Sequence, residues 1–310
     1  MVFERNLEDN LFALEFDLKR EIYRHGKYKH FTVSDPKKRD IHKAEVRDRV
    51  VHQVLYDYLT PLVEDDFIEH SYSSRLGKGT HRALRSLKFF SEEINRRNFG
   101  HCYAVKCDAR KYFDNIDHGV LLEILGKKIK NQRITRLLLE IINSFQVKPG
   151  KGVPLGNVTS QIFANIYLNE LDQYVLKNLK VRYYIRYNDD FIILDSKRNR
   201  LCETAEMAVR FAEEKLRLEI PKGKTVFRKL KWGIDFCGSI VLPKAILIRQ
   251  KTKHRMICNI AQAIKNYKNE NIGESEFSQI INSYFGLLKY CDSFNLRNKI
   301  RNEYLYETIF

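Results

Sequence analysis

Short β-prone runs alternating with longer amphipathic stretches predict an α+β fold, and three segments carry that expectation. "YAVKCDARKYF" (103–113) opens as a strand, with Tyr103, Val105 and Cys107 on one face and Ala104, Lys106 and Asp108 on the other. "SQIFANIYLNELDQYVLKNL" (160–179) carries a helical stripe of Ile162, Phe163, Ile166, Tyr167, Leu171, Tyr174 and Val175, and Ser160 can cap its start. "VRYYIRYNDDFIIL" (181–194) reads as a hairpin with the turn-prone Asn188 and Asp189 at its tip. The order is therefore strand, helical insertion, helix, hairpin.

The flanking segments fit the same class. "EVRDRVVHQVLYDYLTPLV" (45–63) predicts a helix ending near Pro61, with Val46, Val50, Val51, Val54, Leu55, Tyr58, Leu59 and Leu62 on its apolar face. "GIDFCGSIVL" (233–242) is strand-like. After residue 251 the pattern is helical again. "HRMICNIAQAIKNY" predicts an amphipathic helix with Met256, Ile257, Ile260, Ala261 and Ile264 inward, and Tyr284 and Gly286 mark a close packing point further on. There is no internal repeat and no low-complexity linker.

Composition narrows the function classes. A length of 310 residues accommodates two or three subdomains around a sizeable core. No apolar run reaches the roughly 18 to 20 residues of a membrane span, and "MVFERNLEDN" lacks the pattern of a signal peptide. Cysteines 102, 107, 202, 237, 258 and 291 form no zinc-like spacing and read as reduced residues of a cytoplasmic protein. The net charge of +16 points to a polyanion partner. The bases cluster in "GKKIKNQRITR" (126–136), "KGKTVFRKLKW" (222–232) and "RQKTKHR" (249–255), mixed with apolar residues as in folded elements that track phosphates.

Asp108 falls at the end of the first strand and Asp189 and Asp190 at the hairpin tip. If strand and hairpin share a sheet, three carboxylates meet at one edge, an arrangement that is costly without a counter-charge. Divalent oxygen-seeking cations remove that cost, and Mg²⁺ suits the site. Two such ions, about 3.5 to 4 Å apart, clamp the attacking and leaving oxygens of a phosphoryl displacement. The plainer reading makes Asp189 a turn residue and Asp190 a surface charge.

Taken together, these segments resemble reverse transcriptases. "YNDD" (187–190) is similar to their Tyr-x-Asp-Asp box, and "VKCDARKYFDNIDH" (105–118) to their first catalytic box. "GVPLGNVTSQIFANIYLNELD" (152–172) resembles the box between them, and "LRLEIPKGKT" (216–225) and "GIDFCGSIVL" the two that follow. "DPKKRDIHKAEVRDRVVHQVL" (35–55) and "SYSSRLGKGTH" (71–81) resemble finger motifs of bacterial, group II intron-like members. The match runs in order from about residue 20 to the end. It implies a right-hand polymerase with an antiparallel palm sheet. Its parts would be fingers over 1–100 with 119–155 inserted, palm over 101–118 and 156–250, and thumb over 251–310.

The resemblance also implies residue roles. Asp108 and Asp189 would ligate both metals, Mg²⁺ or its substitute Mn²⁺, with Asp190 in support. Phe113 matches the steric gate that excludes a 2′-hydroxyl; its other reading is a core aromatic. Amides near Lys111 and Tyr112 would face the triphosphate, and Gln161 the nucleotide. Lys37, Lys38 and Arg39 lie where cationic side chains meet the phosphates, or form a solvated run. Arg75 matches an Arg near the template–nucleotide pair, or makes a structural salt bridge. Lys224 matches the lysine that protonates leaving pyrophosphate, or simply faces phosphate. Leu155 and Gly156 would lie beneath the template base. Lys253 and Arg255, with Lys265 and Lys268, would face the duplex, or form a solvated helix face.

Leu155 before the glycine and Gln161 after Ser160 look like the enzymes of diversity-generating retroelements, where retroviral enzymes usually carry Gln and Pro. Such enzymes copy an RNA template with errors at adenines and usually work with a small basic accessory protein. The chain is expected to lack the further domains of a maturase. The implied partners are an RNA template, a DNA or RNA primer and deoxynucleoside triphosphates, with no membrane. Group II intron-derived and defence-associated reverse transcriptases remain alternatives. So do a non-catalytic RNA-binding protein on the same fold, which the intact acids disfavour, and an RNA polymerase or untemplated nucleotidyltransferase, which Phe113 disfavours.

Overall fold

The computed structural model describes residues 2–34 and 37–305. Two helices, α1 (Val2–Arg5) and α2 (Leu7–Lys19), precede an exposed hairpin of β1 (Lys29–Val33) and β2 (Arg39–Lys43), in register from Lys29↔Lys43 to Val33↔Arg39. Then come α3 (Val46–Val63), α4 (Thr80–Arg97) and β3 (Tyr103–Asp108). The helical insertion follows as α5 (Tyr112–Asn115), α6 (His118–Lys128) and α7 (Gln132–Asn143). Helices α6 and α7 start where short polar side chains take orphan amides. Asp117 accepts from Val120 N, and Asn131 from Arg133 N and Ile134 N. Next are α8 (Val158–Gln173) and the hairpin β4 (Tyr183–Tyr187) and β5 (Asp190–Asp195). The chain continues through α9 (Arg198–Glu214), β6 (Val226–Lys229), β7 (Ile234–Phe236), β8 (Ser239–Val241) and β9 (Ile246–Ile248). It finishes with α10 (Gln250–Lys268), α11 (Glu274–Leu288) and α12 (Phe294–Lys299).

The principal sheet has the order β4-β5-β3-β6, so strand and hairpin do share a sheet. Pairing is antiparallel in β3–β6 and throughout the second sheet, β7-β8-β9, in line with the α+β expectation. No helix among the described residues is long and apolar enough to cross a membrane.

The chain forms two compact units. The first comprises Met1–Arg75, Cys107–Phe191 and Glu203–Thr225. Its centre is α8, which is buried nearly all round, as an apolar helix with few charges must be; from Thr159 to Asp172 only Gln161 is exposed. The second comprises Leu76–Lys106, Ile192–Cys202 and Val226–Phe310. There Met256, Ile260 and Ala263 of α10 pack with Phe277, Ile281 and Leu288 of α11 and Ile300.

Several local expectations are corrected. Helix α3 runs through Pro61 to Val63 and buries Val51, Leu55, Leu59 and Val63, while Val54, Tyr58 and Leu62 are exposed. Its apolar band is wider than the surface it packs on, so only one row goes inside. Helix α8 starts at Val158, so Ser160 is a buried interior residue and no cap. Asn157 holds the cap position with its side chain committed elsewhere. "GIDFCGSIVL" is a hairpin turning at Cys237 (φ +48°) and Gly238 (φ +79°). In α10, Ala261 is exposed and Ala263 takes the inward place. Gly286 makes no close approach, since a Cβ added there would meet nothing within 4 Å.

Candidate active site

The sheet order sets β5 beside β3, so the ends of both strands lie close together. Asp108 ends β3, and Asp189 follows the left-handed Asn188 (φ +55°) in the β4–β5 turn. The Asn188 amide donates to Asp189 Oδ1 at 3.0 Å. Lys224 Nζ donates to Asp108 Oδ1 at 2.7 Å from a one-turn 3₁₀ segment after Pro221. Burial pushes the Asp189 carboxyl up to about 6, and the charges of Asp108 and Asp190 push the same way, against the pull of Lys224. Asp108, Asp189, Asp190 and Lys224 are thus one electrostatic group within the first unit.

The donor chemistry suits a hard divalent cation: carboxylate oxygens of like charge close to one another, with one ammonium as partial relief. Among the described residues no three His, Cys, Asp or Glu side chains are gathered around one point. That is the ordinary situation for Mg²⁺, which takes one or two protein carboxylates and completes its shell with water and substrate phosphate. Asp108 and Asp189 would supply those carboxylates, next to Asp190.

The segment after β3 is fixed from both sides. Arg110 N donates to Glu219 O and its guanidinium to Glu219 Oε1, both at 2.9 Å. Lys111 is exposed and left-handed (φ +43°) and leads into α5. Tyr112 is buried and donates its hydroxyl to Ala164 O at 2.6 Å, so its ring is an anchor. Phe113 stands edge-on to that ring at 5.6 Å and is half-buried; its carbonyl accepts from Val153 N. The Phe113 ring is thus presented at the surface of the core.

The loop before α8 carries the β1–β2 hairpin. His42 N donates to Leu155 O at 2.9 Å, Ala44 N to Asn157 Oδ1, and Asn157 Nδ2 to His42 O. Gly156 has φ +116°, and a Cβ there would come within 2.8 Å of Ile41 Cγ2. Close approach of β2 therefore requires glycine. The docked hairpin exposes Lys37, Lys38 and Arg39; Asp35 and Pro36 lie outside the described residues. Leu155 is half-buried, and Gln161 is the exposed residue of the buried helix.

Arg75 faces inward. Its Nε and Nη2 meet Glu64 Oε1, its Nη1 donates to Ile68 O and Ser71 O, and its side chain is 6% exposed. The structure gives it the salt bridge that the sequence left as its second reading. Lys253 and Arg255 belong to α10 in the second unit. Lys253 lines a cavity of about 550 Å³ with Leu247, Phe294 and Arg297, and Arg255 is exposed.

Sequence reasoning missed a buried polar group behind the turn. Arg186 of β4 is 1% exposed and forks onto Asp172 of α8, with Nε 2.8 Å from both carboxylate oxygens and Nη2 2.7 Å from Oδ2. Tyr184 donates to Asp172 Oδ1 at 2.7 Å. The available signal was a charge inside "YYIRY", on the same strand face as Tyr184.

Comparison with known proteins adds an independent line. A family described as "Reverse transcriptase (RNA-dependent DNA polymerase)" matches residues 23–241. Protein YkfC of Escherichia coli (strain K12) is 25% identical over 277 residues, covering 75% of this chain and 72% of that protein. The group II intron-encoded protein LtrA of Lactococcus lactis subsp. cremoris is 30% identical over 143 residues, covering 44% of this chain and 22% of that protein. Among solved structures, apo telomerase from Candida tropicalis superposes with a TM-score of 0.57 at 13% identity, covering 79% of this chain and 52% of that one. Telomerase from Candida albicans, bound to a fragment of telomeric RNA, gives 0.53 at 14% identity over 93% of this chain and 60% of that one. The chain thus spans about half of the telomerase chains and about a fifth of LtrA. These likenesses show the right-hand polymerase fold.

Proposed function

Because the chain belongs to the reverse transcriptase (RNA-dependent DNA polymerase) family, we propose that it is an RNA-directed DNA polymerase extending a DNA or RNA primer with deoxynucleotides on an RNA template. The observation that carries this reading is the grouping of Asp108, Asp189 and Asp190 with Lys224 at the ends of neighbouring strands. Asp108 and Asp189 would hold Mg²⁺, or Mn²⁺ in its place, with Asp190 beside them, and the bound cations would supply positive charge against the oxygens of the reacting phosphate. The primer 3′-hydroxyl loses its proton to solvent as its oxygen bonds to the α-phosphorus, the bond to pyrophosphate breaks, and Lys224 gives that leaving group a proton. Phe113 abuts the sugar and excludes a 2′-hydroxyl, while the Lys111–Tyr112 amides and the exposed Lys37, Lys38 and Arg39 serve the triphosphate. The proposed parts are fingers over 1–100 with 119–155 inserted, palm over 101–118 and 156–250, and thumb over 251–310, with Lys253 and Arg255 on the duplex. The protein reads backbone and duplex shape, since pairing supplies sequence.

Primer extension on matched RNA and DNA templates, with deoxy- or ribonucleotide sets, tests this. Extension by deoxynucleotides on RNA is expected; none above the Asp189→Asn background overturns it.

Within the family, Leu155 and Gln161 favour a diversity-generating retroelement enzyme acting in the cytoplasm with a small accessory protein. Leucine cannot make the hydrogen bond a glutamine would, so template adenine is held less firmly, and a lost bond of about 1 kcal/mol raises errors several-fold. The likeness to LtrA favours a group II intron origin instead. Sequencing complementary DNA made on an adenine-rich template by the wild type and by Leu155→Gln separates them: equal, low error at every base removes the retroelement reading.

A further inference from the structure

We propose that Arg186 is a positioning residue: paired with Asp172 beneath the β4–β5 turn, it fixes the carbonyl of Asn188 and so aims Asp189. The inference rests on the polymerase reading above. Nη1 of Arg186 donates to Asn188 O at 3.0 Å and lies 3.2 Å from Asn165 Oδ1. The guanidinium therefore touches the residue immediately before Asp189 while its other nitrogens are held by Asp172, which is fully buried.

The fork has further partners, while Nη2 meets Asp172 as an ion-pair contact alone. Asp172 and Asn165 sit seven residues apart on α8, two turns along one face, and the helix is buried around them. Tyr184 fills the remaining approach to Asp172 Oδ1, and Asn165 Nδ2 donates to Ser73 O at 2.9 Å. The Arg186 backbone is clamped as well. Its N–H donates to His70 O at 2.9 Å, and its carbonyl accepts from Tyr72 N at 3.1 Å. Arg75 grips the same 68–71 segment through Ile68 O and Ser71 O.

A purely stabilising role does not account for this arrangement. A buried ion pair is often replaceable by apolar groups of similar volume at little cost in stability, so the pair is weak evidence for a stabilising role. What apolar groups cannot supply is a rigid donor to the Asn188 carbonyl. Asn188 is left-handed, a conformation that asparagine tolerates, and the Arg186 donor to its carbonyl holds it in one orientation. The planar fork can bind Asp172 and Asn188 at once; a lysine ammonium on a flexible stem cannot hold both.

The test compares the wild type with Arg186→Lys and with the charge-neutral double variant Arg186→Met/Asp172→Leu. Both keep the pocket filled. Melting temperature, template–primer affinity and the KM for deoxynucleotide are expected within about twofold or a few degrees of wild type, while kcat falls about 10- to 100-fold in each. Free Mn²⁺ followed by electron paramagnetic resonance, with template–primer present and no turnover, is expected to show weakened binding in both variants. A folded variant with wild-type kcat and Mn²⁺ affinity overturns the positioning role. So does loss of the fold in both variants, which makes the pair structural. A wild type that synthesises no DNA refutes the polymerase reading instead, a result the variants cannot mimic.

Discussion

His52 sets an acid limit on this fold. It is 1% exposed on α3, with Nδ1 2.5 Å from Thr159 Oγ1 at the start of α8 and Nε2 2.9 Å from His25 Nε2. His25 Nδ1 faces the carbonyl of Gly26 at 2.7 Å, so it carries the proton and leaves Nε2 as an acceptor. His52 then donates from Nε2 and accepts Thr159's hydroxyl at Nδ1, which makes it a neutral imidazole. Burial holds its pKa down to about 4 from the usual 6.5, His25 adds to the effect, and Asp48 opposes it. A depressed histidine stabilises the fold while the unfolded chain is also neutral, above about pH 6.5, and loses that contribution as pH falls toward 4. The full term is roughly 3 kcal/mol, of which about 2 kcal/mol is lost by about pH 5. Urea unfolding followed by circular dichroism near pH 7.5 and near pH 5, for wild type and His52→Gln, measures it. Glutamine can serve both partners without titrating, so the stability difference between the two conditions should shrink by about 2 kcal/mol in the variant. Equal differences in the two proteins would refute the assignment.

Asp189→Asn should reduce DNA synthesis by about a thousandfold or more with no loss of melting temperature, because it removes a turn carboxylate that the charges of Asp108 and Asp190 oppose and empties no core; near wild-type extension rejects the metal-site assignment. Phe113→Val should raise ribonucleotide use relative to deoxynucleotide use in single-nucleotide extension, and an unchanged ratio makes the ring a packing residue only. Gly156→Val should cost about 1 to 3 kcal/mol in urea unfolding, from the positive φ and the collision with Ile41; unchanged stability contradicts the docking of β2 on this loop. Template–primer affinity should fall steeply with salt, with a log–log slope of about −0.9 per neutralised phosphate on B-form DNA; a flat response contradicts a basic groove.

The hairpin of β4 and β5 was legible because strand periodicity and turn chemistry agree across "VRYYIRYNDDFIIL", and Asn188 takes the left-handed conformation asparagine tolerates. The neighbourhood of Asp108 and Asp189 followed once both strands entered one sheet. The burial of α3 was less legible, since its hydrophobic residues cover two rows and only the neighbours choose between them. The environment of Arg75 was ambiguous because an arginine's partners come from tertiary contacts, here Glu64 and two carbonyls. The Arg186–Asp172 pair was hidden for the same reason: its members lie on different elements and meet only when β4 lies on α8. The turn at Cys237-Gly238 had a readable signal in its glycine, masked by a continuous run of strand formers.

The single bridge between Ser71 and Arg186 also bears on solubility. β4 ends the principal sheet, and a terminal strand offers unpaired amides and carbonyls to any other extended chain. The residues around Ser71 take those groups at Arg186, next to the strand's last residue, through His70 O and Tyr72 N. At the opposite margin β6 is wholly exposed but carries Arg228 and Lys229, whose charge repels a like copy. One margin is capped by its own backbone and the other guarded by cations, so a sheet rich in Tyr, Ile and Phe is protected from growing by strand addition into fibrils.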